Sequence, residues 1–448
     1  MRIAALSGHV IANLDEALLR RITSGVGSGA SALKRFLEPM LGVSAYRLKL
    51  FLEDQEISSI SPDSFQVDLQ LVVLPYCQDR ARELLDAAES GHLFEAQRLL
   101  ELSQDPNAKC GDSLAPLHSA SCMGHADMVR LLVEARADKN QAAIYGTPLL
   151  IAAERGRIEV VRYLVEAGAA KDEPKDDGST PLLCAAAGDH LEVVKFLIEA
   201  GADKDLQRGD GATPLLCAAA MDHLEVVQCL VNSGADQNLH RNNGFTPLML
   251  AVFKNHVEVA SFLVDSGADV NKSGEDGDTP LLFATVEGHM ELVRLLLEAD
   301  ADIDKASDNG STPLFCAADE GHSELVRLFL EAGAEKEEAR WDGSTPLLCA
   351  ALQGHTQVVQ LLLLAGADAN KCRMDGSTAL MCAAAEGHDE IAQALLLAGA
   401  DPKWSRKDGK VAQQLAEDHG HLDMVALLND VSKLKRARCA RVELFQAE

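Results

Sequence analysis

The sequence predicts a mainly α-helical protein, a solenoid of short helical repeats preceded by a small α+β domain. Eight threonines between Thr147 and Thr378 follow one another at a constant interval of 33 residues, and such a period is typical of a repeat array. The apolar residues after each threonine have helical spacing. The first 75 residues lack this period and contain segments in which apolar and polar residues alternate, as in strands.

Residues 1–75 predict a separate domain. MRIAALSGHVIANLD is interpreted as two strands around Ser7–His9, and SALKRFLEPMLG as a helix ended by Gly42. YRLKLFLEDQEI and FQVDLQLVVLPY are interpreted as further strands. The alternating apolar residues of the last strand are Val67, Leu69, Leu71 and Val73. This order of elements resembles the ubiquitin-like β-grasp domain.

The resemblance implies that Phe51 and Val72 match the exposed apolar patch by which ubiquitin-like domains are recognised. The domain continues through LPYCQDR without a terminal Gly-Gly pair, so conjugation to another protein is not expected. Residues 76–81 are expected to link the domain to the repeats.

A glycine-rich stretch, Gly25–Ala30, matches the pattern of a dinucleotide-binding loop. A dinucleotide-binding fold needs several strand–helix units, and too few residues precede the repeats to supply them. A loop without a ligand is therefore favoured, and the sequence predicts no cofactor. A cofactor-dependent enzyme at the N-terminus is the competing hypothesis.

In each repeat, residues with specific backbone roles mark the ends of the helices. Threonine followed by proline, as in Thr180-Pro181, is interpreted as the N-cap and first residue of a helix. Glycine, aspartate or asparagine follows nine residues after the threonine position and tolerates the left-handed backbone that ends this first helix. A second helix ends at a glycine such as Gly201, and a polar segment, the finger, leads to the next threonine.

The stretch DGSTPLLCAAAGDHLEVVKFLIEAGADKD resembles the ankyrin repeat, and the resemblance covers residues 82–431 as 11 repeats. We number repeats 1 to 11 by the residue at the threonine position: Arg82, Ala115, Thr147, Thr180, Thr213, Thr246, Thr279, Thr312, Thr345, Thr378 and Val411. The family's histidine three positions later occurs only as His118, and extra apolar packing is expected elsewhere. Repeats 1 and 11 are expected to be caps, and Gln413 and Gln414 give repeat 11 a polar outer face.

Two columns of the repeat suggest chemistry. Cysteine recurs four residues after the threonine, as Cys184, Cys217, Cys316, Cys349 and Cys382. Repeats 1 and 2 have Asp86 and Ser119 there, but Ile, Leu or Phe occupies the position in three interior repeats. Neighbouring helices also lie too far apart for a disulfide or a shared zinc ion, so core packing is favoured. Histidine follows the left-handed position in ten repeats, with Arg157 as the exception, and a hydrogen bond to loop backbone is favoured over a metal array.

The sequence predicts no enzyme, no catalytic residue and no metal site, because no GxSxG, HExxH or P-loop motif occurs. The net charge of −28 argues against a nucleic-acid partner and suits a protein partner with a basic surface. No run of 18 apolar residues indicates a membrane span, and the N-terminus lacks a signal-peptide core.

The odd count of 11 cysteines favours reduced thiols and a location in the cytoplasm or nucleus. A monomer is expected. Residues 432–448 form a basic tail, interpreted as a helix extension in preference to a nuclear-localisation or docking patch. Its basic residues are Lys433, Lys435, Arg436, Arg438 and Arg441.

The function that follows is that of a non-catalytic scaffold or adaptor, binding a protein partner through the concave face and fingers of the array. Trp, Tyr and Arg often anchor interfaces. The fingers contain Tyr145, Arg241, Arg340, Trp341 and Trp404. Packing of the indole rings against neighbouring fingers is the alternative interpretation. The second functional hypothesis is a ubiquitin-pathway adaptor, whose N-terminal domain docks on the machinery while the repeats select a client.

Overall fold

The computed structural model describes residues 2–5, 10–13, 29–41, 45–52, 55–56, 68–74, 76–77, 79–109 and 114–429. The chain divides into two units, Met1–Gly209 and Asp210–Glu448. Repeats 1–4 belong to the first unit and repeats 5–11 to the second. Five sequence predictions concern residues outside the described ranges: the turn at Ser7–His9, most of the glycine-rich loop, the helix stop at Gly42, Val67 of the last predicted strand and the basic tail.

The described residues of the N-terminal segment 1–75, called the N-terminal domain below, contain a five-stranded sheet and one long helix. The strands are β1 (Arg2–Ala5), β2 (Val10–Asn13), β3 (Leu48–Leu52), β4 (Gln55–Glu56) and β5 (Asp68–Val73), and the helix is α1 (Gly29–Leu41). The sheet order is β2-β1-β5-β3-β4. Strand β1 pairs with β5 in parallel, whereas β3 pairs with β5 in antiparallel register. A single turn of 3₁₀ helix, Ala45–Arg47, precedes β3.

Helix and sheet both contribute to the core of this domain. Leu33 and Leu37 of α1 are fully buried, as are the alternate β3 residues Leu48 and Leu50. The last predicted strand is present as β5; Leu71 is buried, and Val73, its final residue, is 41% exposed.

The N-terminal domain is hydrogen-bonded to repeat 1 through residues 74–80. Leu74 and Arg47 exchange hydrogen bonds, from the Leu74 amide at 2.9 Å and from Arg47 Nε at 2.8 Å. Cys77 donates its amide to Ser103, and its carbonyl accepts from the Gln104 side chain at 2.6 Å. The predicted linker, residues 76–81, is therefore hydrogen-bonded to repeat 1 at Cys77, and its last residue is already the first residue of the helix Ala81–Ser90.

Every repeat consists of two antiparallel helices and a finger. The first helices are Ala81–Ser90, Pro116–Met123, Pro148–Glu154, Pro181–Ala187, Pro214–Ala220, Pro247–Phe253, Pro280–Val286, Pro313–Asp319, Pro346–Gln353, Ala379–Glu386 and Ala412–His419. The second helices are Leu93–Glu101, Ala126–Glu134, Ile158–Glu166, Leu191–Glu199, Leu224–Asn232, Val257–Asp265, Met290–Glu298, Ser323–Glu331, Thr356–Leu364, Asp389–Ala398 and Leu422–Asn429.

The predicted helix starts are confirmed in repeats 3–10. In each of them the threonine hydroxyl accepts a hydrogen bond from the amide three residues later, as from Leu183 to Thr180 at 3.2 Å. Repeat 1 differs, because its first helix begins at Ala81 rather than after Arg82. Without a Thr-Pro pair, no side chain caps this helix, and its N-cap is Arg80.

The left-handed column is confirmed in all 11 repeats. Eight of these residues are glycines, and Asp189, Asp222 and Asn255 adopt the same backbone, with φ between 58° and 64°. Short polar side chains tolerate this conformation better than other non-glycine residues. The second helices also end as predicted, at glycines with positive φ such as Gly201 and Gly366.

The core of each repeat comes from both of its helices. In repeat 9, Ala350 and Ala351 of the first helix and Val359 and Leu362 of the second are fully buried. Small alanines on the first helices let neighbouring repeats approach closely, which a solenoid needs because one repeat cannot bury its own apolar faces. Gln414 of repeat 11 is exposed, in agreement with its predicted role as a cap.

Candidate protein-interaction surface

The cysteine column is part of the core, as predicted. Cys184, Cys217, Cys349 and Cys382 are each 5–8% exposed. Burial raises the pKa of the Cys316 thiol to about 12 and that of Cys382 to about 11. Burial and a hydrogen bond from Cys349 Sγ to Asp319 Oδ1 at 2.7 Å also raise the pKa of Cys349. These three thiols therefore stay protonated at neutral pH, which makes them poor nucleophiles.

Alkylation tests this assignment. We expect iodoacetamide at pH 8 to modify Cys316 and Cys382 in the native protein at least about 100-fold more slowly than in guanidinium chloride, because only thiolates react. Mass spectrometry of peptides from timed samples measures both rates. Equal native and unfolded rates at these two cysteines would contradict the assignment.

Six histidines of this column and Arg157 each join a repeat to the one before it. His190 Nε2 donates to the carbonyl of Glu154 at 2.9 Å, and His355 Nε2 to the carbonyl of Asp319 at 2.9 Å. Arg157 replaces histidine and still makes the bond, from Nε to the Cys122 carbonyl at 3.0 Å. Equivalent bonds come from His125, His322, His388 and His421. The predicted role in binding loop backbone is confirmed.

His118 has a different role. Its Nδ1 accepts from the amide of Ala115 at 3.2 Å, and its Nε2 lies 2.8 Å from the Gln141 carbonyl. The imidazole thus caps a helix in the one interior repeat that has alanine in place of threonine. Repeats with threonine have buried Leu, Met or Phe at this column, which agrees with the predicted apolar packing.

His118 predicts a pH dependence of stability. Burial lowers its pKa below the ordinary 6.5, so the folded state binds the proton less well than the unfolded state. Its stabilising contribution is therefore present above pH 6.5 and is lost as the pH falls through the lowered value. We expect His118→Leu to lose about 1–3 kcal/mol at pH 7.5, because the Ala115 amide loses its acceptor, and less at pH 5.

The matched control converts repeat 2 into the pattern of its neighbours. Ala115→Thr combined with His118→Leu restores a hydroxyl cap, and we expect it to recover part of the loss at pH 7.5. Urea unfolding at both pH values measures these differences. A loss of the same size at pH 5 and pH 7.5 would show that titration of His118 is not involved.

The fingers are tied to one another through their backbones. In repeat 9 the amide of Trp341 donates to the Asn309 carbonyl of the preceding finger at 3.3 Å. The equivalent bond of the next finger joins Met374 to Asp342 at 3.0 Å. Within the turn itself, Arg340 donates its amide to Ser344 at 3.0 Å. Side chains on the fingers are therefore presented from a fixed backbone.

The structure places the five predicted finger anchors in different environments. Trp341 is 72% exposed and Tyr145 55% exposed. Trp404 is 39% exposed, and its indole Nε1 donates to the Gly376 carbonyl of the preceding finger at 3.2 Å. Arg340 stacks over Phe315, with its guanidinium carbon 5.1 Å from the ring centre. Arg241 is half-buried.

Phe51 and Val72 lie on adjacent strands of the N-terminal sheet. Phe51 pairs with Gln70 and Val72 with Lys49 across β3 and β5. Val72 is half-buried.

An aromatic cluster in repeats 6 and 7 was not predicted. The ring of Phe245 lies 4.9 Å from that of Phe283 and 6.4 Å from that of Phe253, centre to centre, and the last two are 6.0 Å apart. Phe253 is 43% exposed, and Phe245 packs on the buried residues Leu216 and Leu250. The chain has few aromatic residues, so their concentration at one place was the available signal.

Neither metal chemistry nor membrane insertion is indicated by the described part of the chain. Among its residues no group of three or more His, Cys, Asp or Glu side chains is placed to hold a metal ion. No helix within the described ranges has both the length and the apolar content needed to span a bilayer.

Comparison with known proteins agrees with the repeat geometry. A family model described as ankyrin repeats (3 copies) matches residues 139–208, 200–274, 268–340 and 330–405. A second model, described as ankyrin repeats (many copies), matches residues 84–133. No curated protein matches the chain. The first model alone covers more than half of the 448 residues, and the chain belongs to the ankyrin repeat family.

Proposed function

We propose that the protein is a non-catalytic adaptor that binds a protein partner through the concave face and fingers of its ankyrin array. Ankyrin repeats are generally protein–protein interaction modules. The observation that carries the proposal is Trp341, an indole that is 72% exposed on a finger fixed by backbone hydrogen bonds. Large rigid side chains on a preorganised backbone lose little entropy when they bind, and tryptophan is enriched among interface anchors.

Substitution of the finger tryptophans tests the proposal. We expect Trp341→Ala to remove a defined set of proteins captured by the full-length chain, and Trp404→Ala to have a smaller effect because its ring is half covered. The matched control is Leu364→Ala, which removes an 85% exposed apolar side chain from the end of a second helix. An identical captured set for all three variants and the parent would reject the finger as a binding element.

A second candidate function is that of a ubiquitin-pathway adaptor, docking through a ubiquitin-like β-grasp domain at residues 1–75. The supporting observation is the strand order β2-β1-β5-β3-β4 with β1 and β5 parallel, an order in which a helix between β2 and β3 completes a β-grasp. Phe51 on β3 and Val72 on β5, two adjacent strands, are the proposed contact residues.

Binding of the full chain to immobilised ubiquitin-receptor domains tests this second function. We expect Phe51→Ala and Val72→Ala to weaken binding, and Met40→Ala, at an exposed position of α1, to leave it unchanged. Absence of binding by the parent protein would leave the general adaptor as the proposed function.

We also propose that the chain acts as a monomer in the cytoplasm or nucleus. The odd number of 11 cysteines supports a compartment in which thiols stay reduced. A fluorescent fusion with and without residues 432–448 tests whether the basic tail directs the protein to the nucleus. Light scattering of the purified chain tests the oligomeric state.

A further inference from the structure

The fingers contain a column of cations that is interrupted at one place. The residue five positions before the threonine position is basic in six of repeats 4–11: Lys175, Arg208, Arg241, Arg340, Arg373 and Arg406. Repeats 7 and 8 have Gly274 and Ser307 instead. The interruption spans two consecutive fingers and has cations on both sides of it.

Three of these cations, Lys175, Arg373 and Arg406, form ion pairs with carboxylates of the fingers. Arg373 Nε donates to Ser344 Oγ at 2.7 Å and lies 3.9 Å from Asp342 Oδ2. Burial alone would raise the pKa of Asp342, but hydrogen bonds from Ser344 and the charges of Arg373 and Arg340 lower it below the ordinary value. In repeat 4, Lys175 Nζ lies 3.4 Å from Asp177 Oδ2.

Where the cation is missing, carboxylates gather without this compensation. Asp276 and Asp278 belong to the finger with Gly274, and Asp308 belongs to the finger with Ser307. The two fingers are joined by the Asp308 amide, which donates to the Asp276 carbonyl at 2.9 Å. Burial, followed by the charges of Asp276 and Asp308, raises the pKa of Asp278. Asp278 is thus a partly buried carboxylate held beside two others.

Two rings of the aromatic cluster, Phe245 and Phe253, lie one repeat before these carboxylates, and the third, Phe283, belongs to the same repeat as Asp278. Phe245 and Asp278 occupy the same position of successive repeats, directly before the threonine. The column of Phe253 likewise changes to Val286 and then to Asp319. Stacked helices are about 8–10 Å apart, so the surface changes from aromatic to acidic over about that distance.

We propose that Phe245, Phe253, Phe283 and Asp278 form a docking site for a partner segment that pairs a large apolar side chain with a lysine or arginine. The proposal rests on the proposed function and specifies the partner. The partner's apolar side chain packs on the exposed face of the aromatic cluster. The partner's cation occupies the position that is filled by a basic residue in other fingers but not in those with Gly274 and Ser307. An extended chain advances about 3.3 Å per residue, so the two side chains are about three residues apart.

The physical basis of the site is complementarity in both halves. Phe253 keeps 43% of its surface in water although it contacts two other rings, so a partner can bury more apolar area there. A lysine or arginine of the partner would stabilise the ionised carboxylate of Asp278, which its surroundings disfavour. Phosphate-bearing partners, by contrast, would meet like charges at Asp276, Asp278 and Asp308.

Labelled synthetic peptides in a Gly/Ser background test the site with the full-length protein. Each peptide contains one phenylalanine and one arginine, separated by one to six residues in either order, and fluorescence polarisation measures its dissociation constant. Tightest binding is expected at a separation near three residues, weakening as salt increases. Replacing the peptide's arginine with glutamate, or its phenylalanine with alanine, is expected to abolish binding.

Variants of the protein identify the surface. We expect Phe253→Ala to weaken peptide binding about 10-fold and Asp278→Asn about 5-fold or more. Leu364→Ala and Asp265→Asn are matched controls, because they remove an exposed apolar side chain and a carboxylate from second helices. Loss of binding in the controls, or none in Phe253→Ala and Asp278→Asn, would overturn the assignment.

Gly274→Arg tests the charged half of the site most directly, because it places the missing basic residue in the protein's own finger. A Cβ at Gly274 would have its nearest neighbours 3.8 Å away, so the side chain can be accommodated. We expect this variant to bind the arginine peptides at least 5-fold more weakly than the parent while its urea midpoint stays the same or rises. Unchanged binding by Gly274→Arg would reject the charged half of the site.

Stability separates a binding role of Asp278 from a structural one. A carboxyl whose folded pKa is raised above its unfolded value of 3.8 stabilises the fold only at low pH, and this contribution is lost as the pH rises through the folded value. Asp278→Asn should therefore unfold at a higher urea concentration at pH 7 while binding the peptides more weakly. A fall in both quantities would indicate a structural role and contradict the proposal.

Two further outcomes are decisive. Peptide binding that appears only after removal of residues 432–448 would show that the chain's own basic tail occupies the surface, which overturns the proposal of an external partner. If Trp341→Ala abolishes partner capture while Phe253→Ala and the peptides have no effect, the adaptor function stands and this docking site fails. Peptide binding without any effect of Trp341→Ala supports the site and rejects the finger.

Discussion

Gly321→Ala is expected to destabilise the protein by about 3 kcal/mol. Gly321 has φ of 75°, where an L-residue loses roughly 1–2 kcal/mol, and an added Cβ would lie 2.6 Å from the imidazole of His355. The ring must move, and its hydrogen bond to the Asp319 carbonyl, worth about 1 kcal/mol, is lost or weakened. The effect therefore combines backbone strain within repeat 8 with damage to the contact between repeats 8 and 9.

Gly333→Ala provides a matched control within the same repeat. Gly333 has φ of 91°, but no atom lies within 4 Å of its added Cβ. Only the conformational penalty of roughly 1–2 kcal/mol applies to this variant. Urea unfolding followed by circular dichroism compares the two. If both variants lose the same free energy of unfolding, the contact between glycine and histidine contributes nothing to the joint between repeats.

Phe329→Ala is expected to have a larger effect, about 3–5 kcal/mol. Phe329 is fully buried in the second helix Ser323–Glu331, where truncation removes the transfer free energy of the ring and leaves a cavity. Phe253 is 43% exposed, and we expect Phe253→Ala to lose only about 1 kcal/mol. Thermal and urea unfolding of the two variants measure this difference.

The comparison of the two phenylalanines also controls the binding experiment. A small loss of stability in Phe253→Ala means that weaker peptide binding reports on the surface and not on unfolding. Comparable losses for Phe253→Ala and Phe329→Ala would show that the aromatic cluster belongs to the core. In that case the cluster would be a structural feature, and the docking site would lose its apolar half.

The sequence was sufficient where the cause of a structural feature is local. Thr180-Pro181 starts a helix through its own hydroxyl and ring, and Gly321 ends one through its own backbone freedom. The role of the histidine column could also be predicted from the sequence, because Arg157 replaces histidine once. Arginine, like histidine, can donate a hydrogen bond, but it is not a usual metal ligand. Eleven in-phase copies of one unit supplied the internal comparison.

The sequence was insufficient where a feature depends on contacts between repeats. Phe245, Phe253 and Phe283 occupy three different columns of two repeats, and they meet only because neighbouring repeats stack. The start of repeat 1 at Ala81 was displaced by two residues from the prediction because no Thr-Pro pair marks it. When the repeats are aligned, however, the sequence already shows that the finger cation is absent at Gly274 and Ser307.

The histidine column has a consequence for the order in which the chain is made. Each of these carbonyls accepts its hydrogen bond from a histidine 36 residues further along the chain, as the Asp319 carbonyl does from His355. Domains fold as synthesis proceeds from the N-terminus, so a repeat leaving the ribosome is complete only after its successor has emerged. These joints therefore form in order from the N-terminus, and a chain stalled after repeat 8 would leave the Asp319 carbonyl without the hydrogen bond that His355 supplies.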